Sequence, residues 1–501
     1  MMRRGLWLAG FFMLAFSGAF AQSFVESALL FSRTNPGGSA RIQGLGGSQV
    51  ALGGDFSSAL SNPAGLGMYN RSEFTFSPAF RLSKTSADYL GQSTNDSKST
   101  LHIPAFSLTF HNDYDKLSGF LNGTFAISYS RINDFNQNIK YQGTNSNNSI
   151  IDYFLEDATG ATVSQFGANG SLTNTPTHLA YENYLIGDST VWDPNADPTA
   201  YFTDVLGIPF QVEEIENRGA QNQWSFAYGT NFNDKLFLGV GLGVTTLKYK
   251  SKKVYTEIFE NEPLLDLRLE ENLEINGSGI NATVGATFRP INMVQFAISA
   301  TTPTRYELSD TYTAFMQTNW DNFQYDASTI LNQEQYTSEV IASDYTLTTP
   351  GRINAGATLF LNKIGFVTAD VERINYEKAK YSPITQGVSF DLDNEDIQNL
   401  YKTVYNIRGG FEFRYQNLRA RAGYAYMPSP FKTDQNDVTE SIQRITIGAG
   451  YRVSKAYIDL AVVHTCSERS YRPYSVNSPN SPLVTYKPRS TNIMFTVGLP
   501  F

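Results

Sequence analysis

The chain has 501 residues with 41% hydrophobic, 14% aromatic and 17% charged content, which supplies a folded core and excludes a disordered or collagen-like chain. Thirty-eight Lys and Arg against 47 Asp and Glu give a net charge of −9, and with no basic cluster to offset it a nucleic-acid backbone is not an expected partner. Twenty-nine Tyr and 35 Phe beside four His fit a large β architecture, and a single cysteine, Cys466, leaves the redox compartment open.

Arg3 and Arg4 precede an apolar run from Leu6 to Phe16, and Ala19-Phe20-Ala21 follows with small residues where a signal peptidase reads. Residues 1–21 are therefore expected to be a signal peptide cut before Gln22. The run is shorter than the roughly 20 residues of a bilayer-spanning helix, and no later apolar stretch approaches that length, which excludes a helical membrane protein and leaves a β-barrel open. Residues 22–72 come before any strand and are rich in glycine, from Gly37 and Gly38 to Gly65 and Gly67. They lack the Gly-Lys-Ser/Thr step and the preceding strand of a phosphate loop. A compact plug threading a narrow lumen is the better account, because glycine turns tightly and approaches walls closely.

From residue 73 to 501 the sequence alternates at period two. Phe74, Phe76, Phe80 and Leu82 mark a strand near 73–83, and two more follow near 100–111 and 118–131. Trp224 to Phe232 and Leu236 to Val244 flank a turn at Asn233-Asp234, the latter strand with Gly239, Gly241 and Gly243 on its other face, which suggests a crowded lumen. Further strands are expected near 266–289, 292–303, 350–360, 363–378, 407–416, 418–426, 445–453 and 456–465. The chain closes on Ile493, Phe495, Val497, Leu499 and Phe501, all on one face. One face of these strands is lipid-like and the other charged, the pattern of a transmembrane antiparallel β-barrel of about 14 strands.

The connections alternate short with long. Links at 112–117, 233–234, 290–291, 361–362, Asn417 and 454–455 are short. Those at 84–99, 132–220, 304–349, 379–402, 429–440 and 466–489 are long, as expected of periplasmic turns and outer loops, with 258–265 the one short member of the long set. The insert 132–220 carries Ile150, Ile151, Phe154, Leu179 and Leu185, consistent either with one or two short helices forming an apolar patch at the outer mouth or with a variable surface loop. His102, His111, His178 and His464 have no spacing that favours a metal or haem ligand, and no catalytic constellation can be assembled, so no enzyme, cofactor or metal is expected.

The segment Ser39 to Gly47, then Ala51 to Asp55, then Ser61-Asn62-Pro63-Ala64-Gly65-Leu66, resembles the N-terminal hatch of the OmpP1/FadL/TodX family of outer-membrane transporters of hydrophobic compounds, with Asn62, Pro63 and Ala64 its most recognisable mark. Thr349-Pro350-Gly351-Arg352, Asp370, Arg421 to Tyr426 and Gly448 to Arg452 follow in that family's order. The resemblance implies a 14-stranded, plugged, monomeric barrel in the outer membrane of a Gram-negative bacterium, bathed in lipid and lipopolysaccharide. It would take up hydrophobic small molecules such as long-chain fatty acids passively and release them through a lateral opening. On that reading Arg408, Arg414, Arg419 and Arg421 are candidates for holding a carboxylate in the lumen, against a preferred alternative in which they form a charge network with Glu412 and Asp370. No ligand-contacting residue can be matched in the insert or the outer loops. Family relatives also serve as structural adaptor barrels of protein secretion systems, the alternative reading of function.

Overall fold

The computed structural model describes residues 24–501 except 168–169, 192, 194, 386, 435, 437 and 478–480, so the expected signal peptide lies outside the described residues. Fourteen strands form the wall: β1 Glu73–Tyr89, β2 Gln92–Asp113, β3 Phe120–Asp134, β4 Phe210–Phe232, β5 Leu236–Ile258, β6 Leu264–Ile291 and β7 Val294–Thr301, then β8 Arg352–Leu361, β9 Gly365–Asn375, β10 Thr403–Tyr415, β11 Leu418–Met427, β12 Ile442–Val453, β13 Ala456–Ser467 and β14 Val484–Pro500. Each pairs antiparallel with the next, and β14 returns to β1 with Glu73 opposite Pro500 and Phe76 opposite Val497. The barrel is closed, every wall strand having a paired neighbour on both sides.

Its faces are inverted relative to a soluble protein. Phe74, Phe76, Phe226, Leu242, Phe411 and Ile447 are exposed on the outside, while Thr75, Ser77, Ser225, Thr245 and Thr446 are buried on the inside. Large apolar groups left exposed in a continuous band are stable only against hydrocarbon, so the barrel spans a membrane. Among the described residues no helix is long and apolar enough to do so.

β4 and β5 have 23 residues each and β6 has 28, whereas a tilted crossing needs roughly 9–11; about half of each stands beyond the bilayer. This corrects the expected long loops. Residues 84–99 are the upper halves of β1 and β2, joined only by Leu90-Gly91, and 304–349 holds three strands, Arg305–Gln324, Ile330–Thr337 and Ile341–Thr348, that extend the sheet from the outer half of β6. Much of 466–489 is likewise strand, the end of β13 and the start of β14 among it. The insert contains a strand, Gln137–Thr144, paired to β4, and helices Ile150–Ala158 and Pro176–Glu182. Its apolar side chains do not form an open patch. Phe154, Leu179 and Leu185 pack with Leu264, Met316 and Trp320 as the buried core of an outer cap, because the extended sheet offers them an apolar face that removes them from water.

Residues 24–72 fill the lumen. The helix Phe24–Ser32 lies at the outer end, its Phe24 ring 5.3, 5.2 and 5.0 Å from Tyr345, Tyr381 and Phe390. Lower down, short turns at Ala40–Gln43, Ser58–Ser61 and Pro63–Met68 pack against the inner wall.

Candidate functional site

Two prolines mark where the hydrogen-bonded ladder of the wall is interrupted. Pro78 in β1 and Pro104 in β2 lack the N–H that a ladder needs, and the β1–β2 register shifts between Ser77 and Ala79, next to them. β2 and β3 pair from Asp113–Asn122 up to Ala105–Ser130 and no further. Above that level β2 stays with β1, while the top of β3 follows β4, with Asp134 opposite Ala220. The two sides meet again at Lys98, whose Nζ lies 3.1 Å from Asn138 Oδ1 and 2.9 Å from Glu216 Oε1. Between these two levels His102 and Pro104 on one side and Ile132 to Asp134 on the other face each other without strand pairing, a gap in the ladder termed the window.

The plug stands behind this window. Asn35 N donates to Ile132 O at 2.7 Å, and Asn133 Nδ2 donates to Leu30 O at 3.1 Å and Arg33 O at 3.4 Å. The strap 30–35 thus meets from inside the hydrogen-bonding needs of β3 where β2 has departed. Between strap and wall lies a cavity of about 360 Å³. Leu29, Leu30, Ile132, Phe135 and Met494 are among its apolar lining, and Arg33, Arg81, Arg131 and Arg444 stand among the polar groups of the rest. Asp134 accepts from Arg81 Nη1 of β1 at 3.0 Å and from Arg131 Nη1 at 3.1 Å. The first of these contacts ties β1 to β3 across the unpaired stretch of β2.

The Asn62-Pro63-Ala64 step has a seat built for it. Gly229 of β4 lies opposite Gly239 of β5, which lies opposite Gly285 of β6. A Cβ at Gly239 would come within 2.2 Å of Pro63 C, one at Gly229 within 2.4 Å of Pro63 O, and one at Gly285 within 1.9 Å of Asn62 Oδ1. Three aligned glycines therefore let the plug backbone lie on the wall backbone. Asn62 locks it there, with Nδ2 donating to Val50 O at 2.7 Å and Thr287 Oγ1 at 3.0 Å. Asp370 of β9 clamps the next turn by accepting from Gln49 N at 2.6 Å and Val50 N at 2.9 Å.

The four arginines singled out in the sequence are each engaged by groups of the protein itself. Arg421 is wholly buried, giving Nε to Glu412 at 2.6 Å and Nη1 to Asp459 at 2.7 Å. Arg414 bonds Glu412 at 2.7 Å and lies over the Phe366 ring, and Arg408 meets Glu372 at 2.5 Å. Arg419 donates to the backbone carbonyls of Gln416 and Leu418, both at 2.7 Å. Arg41 of the plug joins the same network 3.8 Å from Glu412. Asp370 serves the plug backbone instead of an arginine. The window, Arg33, Asn35, Arg81, Asp134 and Arg444 escaped sequence reasoning. Pro104 inside an alternating run was the available signal for the window, since proline in a strand implies an edge. The histidines stay apart, with His102 at the cavity, His178 in the cap and His464 on the outer surface. Among the described residues no group of three or more His, Cys, Asp or Glu could hold a metal.

These features define a class: a closed membrane-spanning β-barrel whose lumen is plugged from its own N-terminal segment. Solved structures of this class share the fold over nearly their whole length. A Pseudomonas aeruginosa FadL homologue matches with a TM-score of 0.55 at 11% identity, covering 94% of this chain and 99% of that one. The toluene transporter TodX of P. putida matches with 0.52 at 11% identity, covering 93% and 99%, and the Ralstonia pickettii toluene transporter TbuX with 0.51 at 13% identity, covering 93% and 99%. No protein-family model and no curated protein matches the sequence. The fold is that of the FadL-type transporters.

Proposed function

We propose that this chain is an outer-membrane channel for the passive uptake of hydrophobic small molecules, long-chain fatty acids among them, exported by a signal peptide at residues 1–21. The ligand leaves the lumen sideways through the β2–β3 window. The observation that carries this reading is the cavity itself, which is part apolar, part cationic, and lined by the residues that flank the unpaired stretch of the wall, His102, Pro104 and Ile132 to Asp134. An amphiphile with an acidic head fits such a lining better than a neutral hydrocarbon does. The three solved structures above, two of them toluene transporters by name, support hydrophobic cargo in general.

The test is uptake of a labelled long-chain fatty acid by cells with the protein, without it, and with Ile132→Trp, which fills the window from a side chain that is only 5% exposed. Uptake that depends on the barrel and falls at least several-fold in the variant supports lateral release. Uptake unchanged in a correctly assembled Ile132→Trp barrel overturns the lateral path. Equal uptake with and without the barrel overturns fatty-acid transport and favours the adaptor role.

A further inference from the structure

The cavity holds more positive charge than the fold neutralises. Seven Lys and Arg side chains line it against Glu26, Asp134 and Glu440, an excess of four cations, in a chain whose net charge is −9. Asp134 is already shared by Arg81 and Arg131. Arg444, 8% exposed, bonds the Asn35 carboxamide oxygen through Nη2, its Nε has no partner among the described residues, and the charges acting on it, Arg408, Arg81 and Arg33, are all positive. Arg33, also 8% exposed, donates to the carbonyl oxygens of Met427 and Pro428 at 3.3 Å and of Glu440 at 3.0 Å. Among the described residues neither guanidinium has a carboxylate within 4 Å; the Glu440 carboxylate acts on Arg33 only from farther off and is shared with Arg469. Arg408, by contrast, is neutralised by Glu372.

A buried guanidinium with no anion is costly, and the cost is relieved when a ligand supplies the charge. Two such groups beside one cavity call for two negative charges, and guanidinium forks match phosphoryl oxygens in bidentate geometry. A single carboxylate would leave one of them uncompensated. We propose that Arg444 and Arg33 form a binding site for a dianionic phosphoryl group, the head of a phosphate-monoester amphiphile, at the inner side of the β2–β3 window. The proposal rests on the uptake reading only in that the ligand must reach the lumen.

Occupancy would act on the plug. Asn35 joins the window edge, through its N–H to Ile132 O at 2.7 Å and its Nδ2 to Asn133 Oδ1 at 3.4 Å, to Arg444 of β12. A phosphoryl group taking the Arg444 fork competes with Asn35 for the same donor, so binding loosens the strap behind the window.

The experiment is titration of the purified full-length barrel in neutral detergent with dodecyl phosphate, dodecanoate, dodecanol and inorganic phosphate. Dodecyl phosphate is expected to bind at least tenfold more tightly than dodecanoate and to weaken as salt is raised. Arg444→Gln should lower its affinity at least tenfold and leave dodecanol unchanged. Asn35→Asp keeps every wall residue and gives Arg444 an internal carboxylate, so it should abolish the phosphate preference while the barrel melts no lower than the parent. Displacement of dodecyl phosphate by millimolar inorganic phosphate supports the phosphoryl site and assigns its ligand to the free ion; resistance to it supports the site and assigns a lipid head. Equal affinity for dodecyl phosphate and dodecanoate, or a preference that survives Asn35→Asp, overturns the site. Absence of the preference in the parent protein with fatty-acid uptake intact refutes this inference alone, and a phosphate preference without barrel-dependent uptake refutes the uptake reading alone.

Discussion

Replacing Gly239 by alanine tests whether the glycine row is the seat of the plug. The added Cβ would lie 2.2 Å from Pro63 C and 2.3 Å from Ala64 N. Ordinary contact begins near 3.4 Å, so the plug backbone must retreat by about 1.2 Å at that point. No flexible side chain can absorb the move, because both atoms are backbone. Overpacking of this kind costs about 1–3 kcal/mol, and a retreat of this size also stretches the Asn62 bonds to Val50 and Thr287, each worth about 1 kcal/mol. On the wall side Gly239 has neighbouring strands on both flanks and keeps its ladder. The cost therefore falls on plug docking, and 1–3 kcal/mol corresponds to a rise of roughly 5- to 150-fold in the undocked population. Single-channel conductance in planar bilayers reads this directly, with rare openings in the parent and frequent ones in Gly239→Ala at an unchanged melting temperature of the wall. Gly409→Ala in β10, where the nearest atom to an added Cβ is Thr368 O at 3.6 Å, an ordinary contact, controls for glycine replacement in general. Parent-like conductance in Gly239→Ala would refute the seat.

Other consequences are as specific. Arg421→Met removes the shared partner of Glu412 and Asp459 and should lower barrel stability by about 3 kcal/mol, softened because Arg414 and Arg452 remain; urea titration of the reconstituted barrel measures it. In the outer extension, burial pushes the Glu213 carboxyl up to about 7, against the lowering effect of Lys253 and the Tyr141 and Tyr471 hydroxyls. The folded state then holds a proton that the unfolded chain releases near its ordinary value, so the contribution is full at low pH and is lost as pH rises through about 7. Glu213→Gln should flatten that dependence and stabilise the cap above pH 7 by up to about 3 kcal/mol, followed by hydrogen exchange of Gln137–Thr144. Phe154→Ala, in the cap core at 0% exposure, should cost the cap about 3–5 kcal/mol and leave exchange in β10 to β13 as it was.

The wall was legible because each crossing strand must repeat the same physical compromise, apolar toward lipid and polar toward the lumen, so a period of two survives in Phe411, Phe413 and Tyr415 against Arg408, Glu412 and Arg414. The extension beyond the bilayer was not. There the apolar side chains turn inward and the outer face is polar, so the alternation of Tyr306, Leu308, Tyr312, Met316 and Trp320 against residues such as Glu307 and Ser309 lacks the lipid-like outer face of the wall and reads as loop. The insert's apolar residues were visible, but their destination depended on the sheet above the barrel, which no local pattern announces. At the site, Asn62 and Pro63 stood out by motif, while their seat needed the register of three strands to bring Gly229, Gly239 and Gly285 into line.

The arginines divide along a physical line that composition hides. Those low in the barrel, Arg414, Arg421 and Arg452, stand beside Glu412 and Asp459, and each carboxylate has at least two guanidinium partners. Such a network is closed to a passing anion, since a ligand would have to displace partners that are covalently fixed at the right distance. Those beside the window are in the opposite state, with one carboxylate for Arg81 and Arg131 and, among the described residues, none within 4 Å of Arg33 or Arg444. The first set holds the plug end of Arg41 against the wall, and the second leaves charge unspent where the strap crosses the opening. A plug fixed firmly at one end and held at the other by a neutral asparagine has one end able to yield, and that end faces the window.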